Sequence, residues 1–573
     1  MPAAEDNWTS LPALMLGLSR AWPDRPMLRY WRGGDWRRMS WSEFALQVAS
    51  VAAGLRARGV CPGDRVVIVA ENRPEFLVAD CAIMAVGAVS VPGYTTNTLA
   101  DHTHLLRDSG ARAAIVSTSR LAQTLAEAAG IGGLDLLVSM EESAAEGGGA
   151  VSWSSLVETR GDLAMLYAEA EQIPAGRLAC LIYTSGTGGP PKGVMLPHRA
   201  MLANRDGIYH IIAALKLPKD ASYLSFLPLS HAYEHTVIYL LCSFGLEVVF
   251  SRGAEKLSAE LADIRPQVLT AVPRLFEVLR ARILAGLEKQ SAFQRGLFER
   301  TLRLGLKRLD GGGLNLAEKL QDAVLDRLVR SKVRARFGGR LVAMVSGGAR
   351  LDPDLSGFFL ALGLPVLQGY GQTEAGPVVS VNTPWDNDRT TVGRPLPGVT
   401  LRIAEDGEVL VRGPLVMDGY WNQPEASASA LRSAPPEGET WLHTGDVGQL
   451  VEGRLRITDR KRDFIKTLGG DMVSPARLES LLMAEPEIAQ AVVAGEGRPG
   501  LAALLVPADR HGEDAVKAAL RRVNGKLSGI ERIRYSACVA PFTVENGQMT
   551  PTMKVKRKVV LGDHAAVIEK LYQ

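Results

Sequence analysis

Residues 178–193 read LACLIYTSGTGGPPKG, an apolar strand that leads directly into a loop of glycines, hydroxyls and one lysine. The backbone N–H groups of such a loop, together with the Lys192 ammonium, are suited to binding phosphate oxygens. The loop is not a P-loop, because GxxxxGK[ST] requires Ser or Thr after the lysine and Gly193 stands there. An ordinary glycine-rich turn is the alternative, but the hydroxyls, the lysine and the preceding strand together favour a phosphate site.

The sequence on both sides of this loop alternates short apolar strands with helical patterns. DRVVIVA at 64–70 predicts a buried strand, and the helix predicted over Pro74–Val86 has its proline in the first turn. Similar strands are predicted at 113–116, 178–183, 247–250, 268–272 and 341–345. Strands separated by helices are typical of an α/β fold with layered sheets.

The chain changes in character after Asp459. Shorter strands are predicted at 488–494, 501–507 and 532–539. With a helix near Glu513–Leu527, they predict a small α+β domain. We therefore expect a large multi-subdomain region of layered sheets and helices over residues 1–459, and a small mobile C-terminal domain over 460–573. The polar segment Thr458–Asp463 is the expected hinge.

Composition excludes several classes of protein. The chain has 573 residues, is 46% hydrophobic and carries 65 Lys/Arg against 62 Asp/Glu, which argues against disorder and against nucleic-acid binding. The cysteines are scattered and form no CxxC pair, so neither a disulfide framework nor a zinc site is predicted. No secretory signal is recognised, and the longest apolar run, near 236–250, falls short of the ~20 residues of a membrane-spanning helix. A cytoplasmic protein of enzyme size is expected.

Two further glycine-containing segments follow predicted strands, at the sheet edge where α/β folds bind ligands. They are VSGGA at 345–349 and LQGYGQTEA at 367–375. Tyr370 lies between glycines and can present its ring face to a base. Thr373 and Glu374 supply a hydroxyl and a carboxylate suited to phosphate and Mg²⁺. Taken alone, GYG is an ordinary turn.

A third polar segment is WLHTGD at 441–446, with Asp459 and Arg460 after the next predicted strand. The Asp446 carboxylate can bind both hydroxyls of a ribose, as acidic residues do in dinucleotide sites. The Arg460 guanidinium offers two donors to ribose or phosphate. By itself TGD is explained equally well by a turn or a helix cap.

In this order and spacing, these segments resemble the AMP-forming acyl-CoA synthetase, adenylation-domain and luciferase superfamily. The resemblance covers nearly the whole chain and includes YTSGTGGPPKG, GYGQTE, TGD, DRKRDFIK at 459–466 and TPTMKVKRK at 550–558. LPLSHAYEH at 227–235 and a helical insertion at about 274–340 are similar to long-chain fatty acyl-CoA synthetases. The resemblance implies a ligase that activates a fatty acid with ATP to acyl-adenylate and pyrophosphate, and then transfers the acyl group to CoA with release of AMP.

The resemblance also assigns nucleotide contacts residue by residue. The implied ATP-binding residues are Ser185, Gly186, Thr187, Gly188, Lys192, Gly347, Gly348, Tyr370, Gly371, Thr373, Asp446 and Arg460. The loop hydroxyls and Lys192 would contact the β- and γ-phosphates, and Thr184 with Glu374 would hold Mg²⁺. Gly188 stands where the superfamily loop usually carries a second threonine, so one phosphate hydrogen bond is expected to be lost.

The implied catalytic residues are Lys554, Glu374, Thr184 and His231. Lys554 matches the terminal-domain lysine that bridges the carboxylate and the α-phosphate, where an ammonium neutralises developing charge. His231 is assigned a positioning role, because a lone histidine is more often structural than catalytic. The small domain is implied to rotate about Asp459 and Arg460 between the half-reactions, which would bring Leu468–Gly470 to the pantetheine tunnel.

Several alternatives stay open at this point. The segment Arg274–Arg340 carries 16 Lys/Arg against 7 Asp/Glu, and either a solvated helical surface or a contact with membrane phospholipid or an anionic cofactor explains it. Peripheral attachment at the inner face of a membrane is thus an alternative to a purely cytoplasmic enzyme. A ligase for aryl or medium-chain acids, transfer to a carrier-protein thiol and a silent acyl-binding protein are the other functions considered, and no oligomeric state is predicted.

Overall fold

The computed structural model describes residues 8–130, 132–141, 150–184, 190–253, 255–433, 438–461, 465–468, 472–508, 511–550 and 554–573. Within these residues the chain forms layered mixed sheets covered by helices, so the predicted α/β class is confirmed. The helices of the first 300 residues or so are Leu11–Ala21, Trp41–Ala57, Pro74–Ala85, Leu99–Ser109, Ser119–Ala129, Trp153–Val157, Leu163–Glu171, His198–Ala214, Ala232–Ser243, Leu257–Ile264 and Pro273–Glu288. Those that follow are Ala292–Leu309, Leu316–Leu325, Ser331–Arg336, Pro353–Ala361, Pro424–Ala430, Pro475–Met483, Glu513–Asn524, Arg557–Asp563 and Ala565–Tyr572.

The first sheet has nine strands in the described part of the chain. In spatial order they are Arg394–Pro395, Val378–Val381, Val366–Gly371, Ala343–Ser346, Val268–Ala271, Ser222–Ser225, Glu247–Phe250, Pro26–Arg32 and Asp35–Ser40. The central strands are parallel, so their carboxyl ends lie at one edge of the sheet. VSGGA leaves the sheet at this edge after Ser346, whereas Gly369–Gly371 still belong to the strand Val366–Gly371 and the chain leaves it at Gln372.

The second sheet carries the glycine-rich loop. Its described strands, in spatial order, are Gly419–Tyr420, Lys192–Pro197, Leu178–Thr184, Val89–Gly93, Arg65–Val69, Ala113–Val116, Leu136–Ser139 and Val151–Ser152. Leu178–Thr184 pairs antiparallel with Lys192–Pro197, and in this register Thr184 lies opposite Lys192. The two strands therefore hold both ends of the loop.

The third sheet contains the polar segment predicted as a hinge. Its strands are Thr400–Ile403, Glu408–Arg412, Thr440–Val451 and Leu431–Ser433, with Arg454–Arg460 paired to the long strand. The prediction of a segment lying between strands is wrong for Thr458, Asp459 and Arg460, since Asp459 pairs with Val447 and Arg460 with Asp446. These polar residues can occupy a strand because it lies beside the equally polar TGD segment. The boundary between 1–459 and 460–573 stays a prediction.

The C-terminal part has its own small sheet and core. Ile488–Ala494, Leu501–Pro507 and Ile533–Cys538 form the sheet, and Ile465–Lys466 pairs with Met472–Val473. The first two strands have the predicted bounds. Leu478, Val493 and Val516, from helices and sheet, are packed in a separate hydrophobic cluster.

The longest apolar run divides into two elements. Residues 232–243 form a helix and 247–250 a strand, because the intervening glycine, Gly245, has φ +81° and turns the chain back to the sheet. No helix among the described residues is both long enough and apolar enough to cross a bilayer.

Candidate active site

A cavity of about 690 Å³ opens at the carboxyl edge of the first sheet. Every predicted site residue that the structure describes lines it, namely Thr184, Lys192, His231, Gly347, Gly348, Tyr370, Gly371, Thr373, Glu374, Asp446, Arg460 and Lys554. Ser185, Gly186, Thr187 and Gly188 lie outside the described residues. Residues from all three large sheets and from the C-terminal part thus meet around one cavity.

Tyr420 joins the cation and the carboxylate of the predicted phosphate and metal site. The Lys192 ammonium lies 4.8 Å from the centre of the Tyr420 ring, within the range of a cation–π interaction. The Tyr420 hydroxyl donates to Glu374 Oε1 at 2.9 Å. Sequence analysis missed this tyrosine, because its place depends on the pairing of Gly419–Tyr420 with Val194 and Met195, far away in the chain.

A second polar cluster surrounds Asp446. The Tyr370 hydroxyl donates to Asp446 Oδ2 at 2.7 Å, and Arg460 Nε lies 3.3 Å from Oδ1. Burial and the neighbouring Asp446 charge raise the pKa of Tyr370 well above its ordinary value, so this hydroxyl remains a donor. Each carboxylate oxygen can accept more than one hydrogen bond, so Asp446 can also bind hydroxyls of a ligand.

Glycine is required at two positions of these segments, at Gly371 because other backbone is close and at Gly348 because φ is positive. A Cβ on Gly371 would lie 1.7 Å from the Pro377 carbonyl oxygen, so no side chain fits there. Gly348 has φ +80°, and a Cβ there would point toward the Lys554 ammonium at 3.9 Å. The turn after Ser346 therefore presents bare backbone to the cavity beside Lys554.

Lys554 brings a cation from the C-terminal part to the edge of the first sheet. Burial, together with the nearby Arg460 charge, lowers the pKa of this ammonium to about 8, although Asp446 and Glu374 oppose the shift. Thr550 Oγ1 accepts a hydrogen bond from the Lys554 backbone N–H at 3.0 Å. The ammonium thus shares the cavity with the two carboxylates that the sequence assigns to metal and ribose, and their charges favour its protonated form.

His231 caps a helix and is neutral. Its Nδ1 accepts from the Tyr233 backbone N–H at 3.1 Å, at the N-terminus of the helix Ala232–Ser243. Burial and the Lys554 charge lower the pKa of His231 to about 3. Because Nδ1 is an acceptor, the ring proton resides on Nε2. This state fits the predicted positioning role and not that of a base.

One end of the cavity is apolar. Its lining side chains are Ile208, Ile211, Ile212, Leu215, Val237, Leu240, Leu241, Val268, Ala343, Val345, Leu367 and Val381. The first seven belong to the helices His198–Ala214 and Ala232–Ser243, with Leu215 directly after the end of the former. The other five belong to strands of the first sheet. Ala343 and Val345 alternate along one strand and Gly347 directly follows its last residue, so the apolar wall continues to the polar edge over about 13 Å.

A buried polar cluster lies behind this helix wall and was also missed. His235 Nε2 lies 3.2 Å from Asp80 Oδ2, and both side chains are 1% exposed or less. The hydroxyls of Ser90 and Tyr239 donate to Asp80, and His235 Nδ1 contacts the Leu229 carbonyl oxygen at 3.0 Å. The cluster ties the helix Ala232–Ser243 to the layer beside the second sheet.

Comparisons with known proteins match this arrangement. The family model "AMP-binding enzyme" matches residues 19–421, and "AMP-binding enzyme C-terminal domain" matches residues 462–573. The chain belongs to the AMP-binding enzyme family. The resemblance to the AMP-forming superfamily is therefore confirmed.

Relatives of this AMP-binding enzyme span nearly its whole length. It is 34% identical to a long-chain-fatty-acid–CoA ligase of Mycobacterium tuberculosis, over 98% of this chain and 97% of the relative. It is 29% identical to the peroxisomal long chain acyl-CoA synthetase 7 of Arabidopsis thaliana, over 94% and 82%. Its fold is similar to that of an anthranilate CoA ligase in complex with anthranoyl-AMP, with TM-score 0.75 at 20% identity over 99% and 100% of the two chains.

Proposed function

We propose that this AMP-binding enzyme is a long-chain fatty acid–CoA ligase. The observation that carries the proposal is one cavity whose polar end holds Lys192, Glu374, Asp446 and Lys554 and whose other end is apolar. A fatty acid would lie along the apolar wall with its carboxylate at the polar edge, beside ATP. The relatives named long-chain-fatty-acid–CoA ligases support this choice of acid.

In the first half-reaction a carboxylate oxygen attacks the α-phosphorus of ATP, and the bond to pyrophosphate breaks. Two anions meet in this step, so catalysis consists of fixed positive charge and hydrogen-bond donors. The Lys554 ammonium, next to the bare backbone of Gly348, would bridge the carboxylate and the α-phosphate. Lys192 would stabilise the departing pyrophosphate together with the loop residues Ser185–Gly188.

We propose the remaining nucleotide contacts from the resemblance and from the position of these residues on the cavity wall. Gly347, Gly348, Tyr370 and Gly371 would surround adenine, and Thr373 would donate to the α-phosphate. Asp446, held by Tyr370 and Arg460, would accept the ribose hydroxyls. All of these residues line the cavity.

The donor set also fits Mg²⁺. Glu374 and Thr184 supply a carboxylate and a hydroxyl on the cavity wall, and protein-bound Mg²⁺ takes one or two carboxylates together with substrate phosphates. The ion would neutralise charge on the pyrophosphate. Tyr420 orients Glu374 for this task through its hydrogen bond.

In the second half-reaction the CoA thiol attacks the acyl carbonyl and AMP leaves. We propose that residues 460–573 rotate about Asp459 and Arg460 to bring Leu468–Gly470 to the thioester site, of which Gly469 and Gly470 lie outside the described residues. A cytoplasmic enzyme attached peripherally to a membrane is also proposed, with 274–340 as the attached segment.

The experiment that tests the function measures AMP release with CoA across fatty acids of increasing length. We expect the largest kcat/KM with long chains and little turnover with aryl or medium-chain acids. Replacing CoA with an acylable carrier protein should abolish thioester formation. Failure to form acyl hydroxamate with ATP and hydroxylamine would instead indicate a silent acyl-binding protein.

The length of acyl chain that the enzyme accepts should depend on the inner end of the apolar wall. Ala343→Leu adds volume at the strand start, so kcat/KM for the longest acids should fall about fourfold for each methylene excluded, with shorter acids unaffected. Met344→Leu is the matched control, because Met344 is fully buried in a cluster on the opposite face of the same strand. An equal fall for all chain lengths would contradict the assignment of this end.

The pH dependence of adenylation should show the deprotonation of Lys554. Its pKa is lowered to about 8, and only the protonated amine can neutralise the reacting phosphate, so kcat/KM for ATP should fall as pH rises above about 8. In Lys554→Arg the guanidinium stays protonated at alkaline pH, so the remaining activity of this variant should not fall above about pH 8. The same decline in both proteins would assign it to another group.

A further inference from the structure

Four large apolar side chains lie on the outer surface of the helical insertion. Leu316, Leu320, Val324 and Leu328 are 77%, 66%, 56% and 45% exposed. They follow one another at intervals of four residues along the helix Leu316–Leu325 and the π-helical turn that continues it, so they form a row on one side. A single exposed leucine is ordinary, whereas a continuous apolar row indicates a binding surface. We call this row the leucine ridge.

The opposite side of the same helix is firmly attached to the protein. Arg330 is 1% exposed and donates to Asp322 Oδ1 at 2.6 Å and to the Ala361 carbonyl oxygen at 2.7 Å. Asn315 and Glu318 form a capping box at the helix N-terminus. The inner side therefore fixes the helix, while the leucine ridge stays largely exposed.

The surroundings of the leucine ridge are strongly basic. Residues 291–336 hold eleven Lys/Arg and five Asp/Glu, a net charge of +6, whereas the whole chain has +3. Acidic groups here are neutralised locally, as Glu318 is by Lys307 and Asp326 by Arg334. No described carboxylate lies within ion-pair distance of the exposed cations Arg300, Arg303, Lys319, Arg327, Lys332 and Arg336.

We propose that the leucine ridge and the cations around it dock the protein on an anionic phospholipid bilayer. The leucines would insert among the headgroups while Lys319, Arg327 and Lys332 contact lipid phosphates, the arrangement by which amphipathic helices bind membranes. A second copy of this chain is a poorer occupant, because a symmetric contact would bring two surfaces of charge +6 together. This proposal rests on the proposed function, because long-chain acids partition into bilayers and a ligase for such acids would meet its substrate there.

Vesicle sedimentation tests the proposal directly. The full chain should bind vesicles of phosphatidylcholine with about 30% phosphatidylglycerol, bind pure phosphatidylcholine far less, and be released from the former by high salt. No substrate is needed, so this result is independent of ligase activity. Absence of binding to the anionic vesicles would overturn the proposal.

Two sets of variants separate the apolar and basic contributions. Lys319→Gln, Arg327→Gln and Lys332→Gln together should weaken vesicle binding about a hundredfold, at about fivefold for each charge. Leu316→Gln, Leu320→Gln and Leu328→Gln together should weaken it at least about tenfold. The matched control is Leu46→Gln with Met165→Gln, two apolar residues equally exposed elsewhere, which should bind as the unmodified protein does.

Two further measurements keep the outcomes distinct. Every variant should retain ligase activity on a long-chain acid supplied in solution without vesicles, because all the altered side chains are exposed and none lines the cavity. If the unmodified chain is a dimer in solution that the leucine variant converts to monomer, and neither binds vesicles, the leucine ridge is a protein interface and the proposal fails. Vesicle binding by an enzyme without ligase activity would refute the proposed function alone.

Discussion

Lys554→Ala is expected to lower ATP–pyrophosphate exchange by about 10²–10³-fold, while transfer of the acyl group from supplied acyl-adenylate to CoA is preserved. The magnitude is that of removing one preorganised donor from a developing charge. The ammonium is one of the groups that the C-terminal part contributes to the cavity wall, and it lies beside Gly348. Measuring the two half-reactions separately isolates the step in which it acts.

Lys558→Ala is the matched control for this variant. Lys558 lies in the same basic segment, but its side chain is exposed and does not line the cavity. It should leave both half-reactions unchanged. An equal loss of both half-reactions in Lys554→Ala would show that the lysine supports the fold or both conformations, which would contradict its role in adenylation.

The sequence indicated the polar end of the cavity because its residues stand in recognisable local motifs. Thr184, Lys192, Tyr370 and Asp446 each stand in a short segment of glycines and hydroxyls next to an apolar strand, a local pattern with a local cause. Parallel strands bring only the segments of the first sheet to one edge, whereas Thr184, Asp446 and Lys554 reach the same cavity from the second sheet, the third sheet and the C-terminal part.

Other features depend on contacts between distant parts of the chain, and these were not predictable from local patterns. Tyr420 reaches Glu374 and Lys192 only because Gly419–Tyr420 pairs with a strand far away in the sequence. Likewise Asp459 and Arg460 read as a linker, although pairing with the TGD segment makes them part of a strand. The apolar end of the cavity required the packing of two helices against the first sheet.

The sequence contains one local signal of the buried cluster around Asp80. Asp80 is the single acidic residue in the interior of PEFLVADCAIMA, whose other residues after Glu75 are apolar, and the whole helix is buried. A carboxylate on such a helix must find partners, since an unpaired buried charge is too costly. The partners themselves, His235 and Tyr239, lie on a helix of another layer and could be identified only in the folded chain.

Asp80→Ala is therefore expected to destabilise the large region by about 3–5 kcal/mol, the cost of removing one partner from a buried ion pair. It leaves His235 facing a cavity and the Tyr239 hydroxyl without its acceptor. The midpoint of thermal unfolding should fall by several degrees. Asp135→Ala is the control, because Asp135 pairs with Arg112 on the surface, with both side chains about three-fifths exposed, and should leave the midpoint unchanged.

The pH dependence of this loss should identify the ion pair as its cause. Burial alone would lower the pKa of His235, but the charge of Asp80 outweighs burial, so this pKa is raised. Burial alone would raise the pKa of Asp80, but His235 and the two hydroxyls outweigh burial, so this pKa is lowered. The stabilisation is thus complete between the ordinary values of 3.8 for aspartate and 6.5 for histidine, and it is lost as pH rises through the raised histidine pKa or falls through the lowered aspartate pKa. The stability difference between the unmodified protein and Asp80→Asn/His235→Gln should therefore be largest near pH 5 and shrink in alkaline solution. A difference that is constant with pH would mean that Asp80 stabilises the fold through its hydroxyl partners and packing, not through the charge on His235.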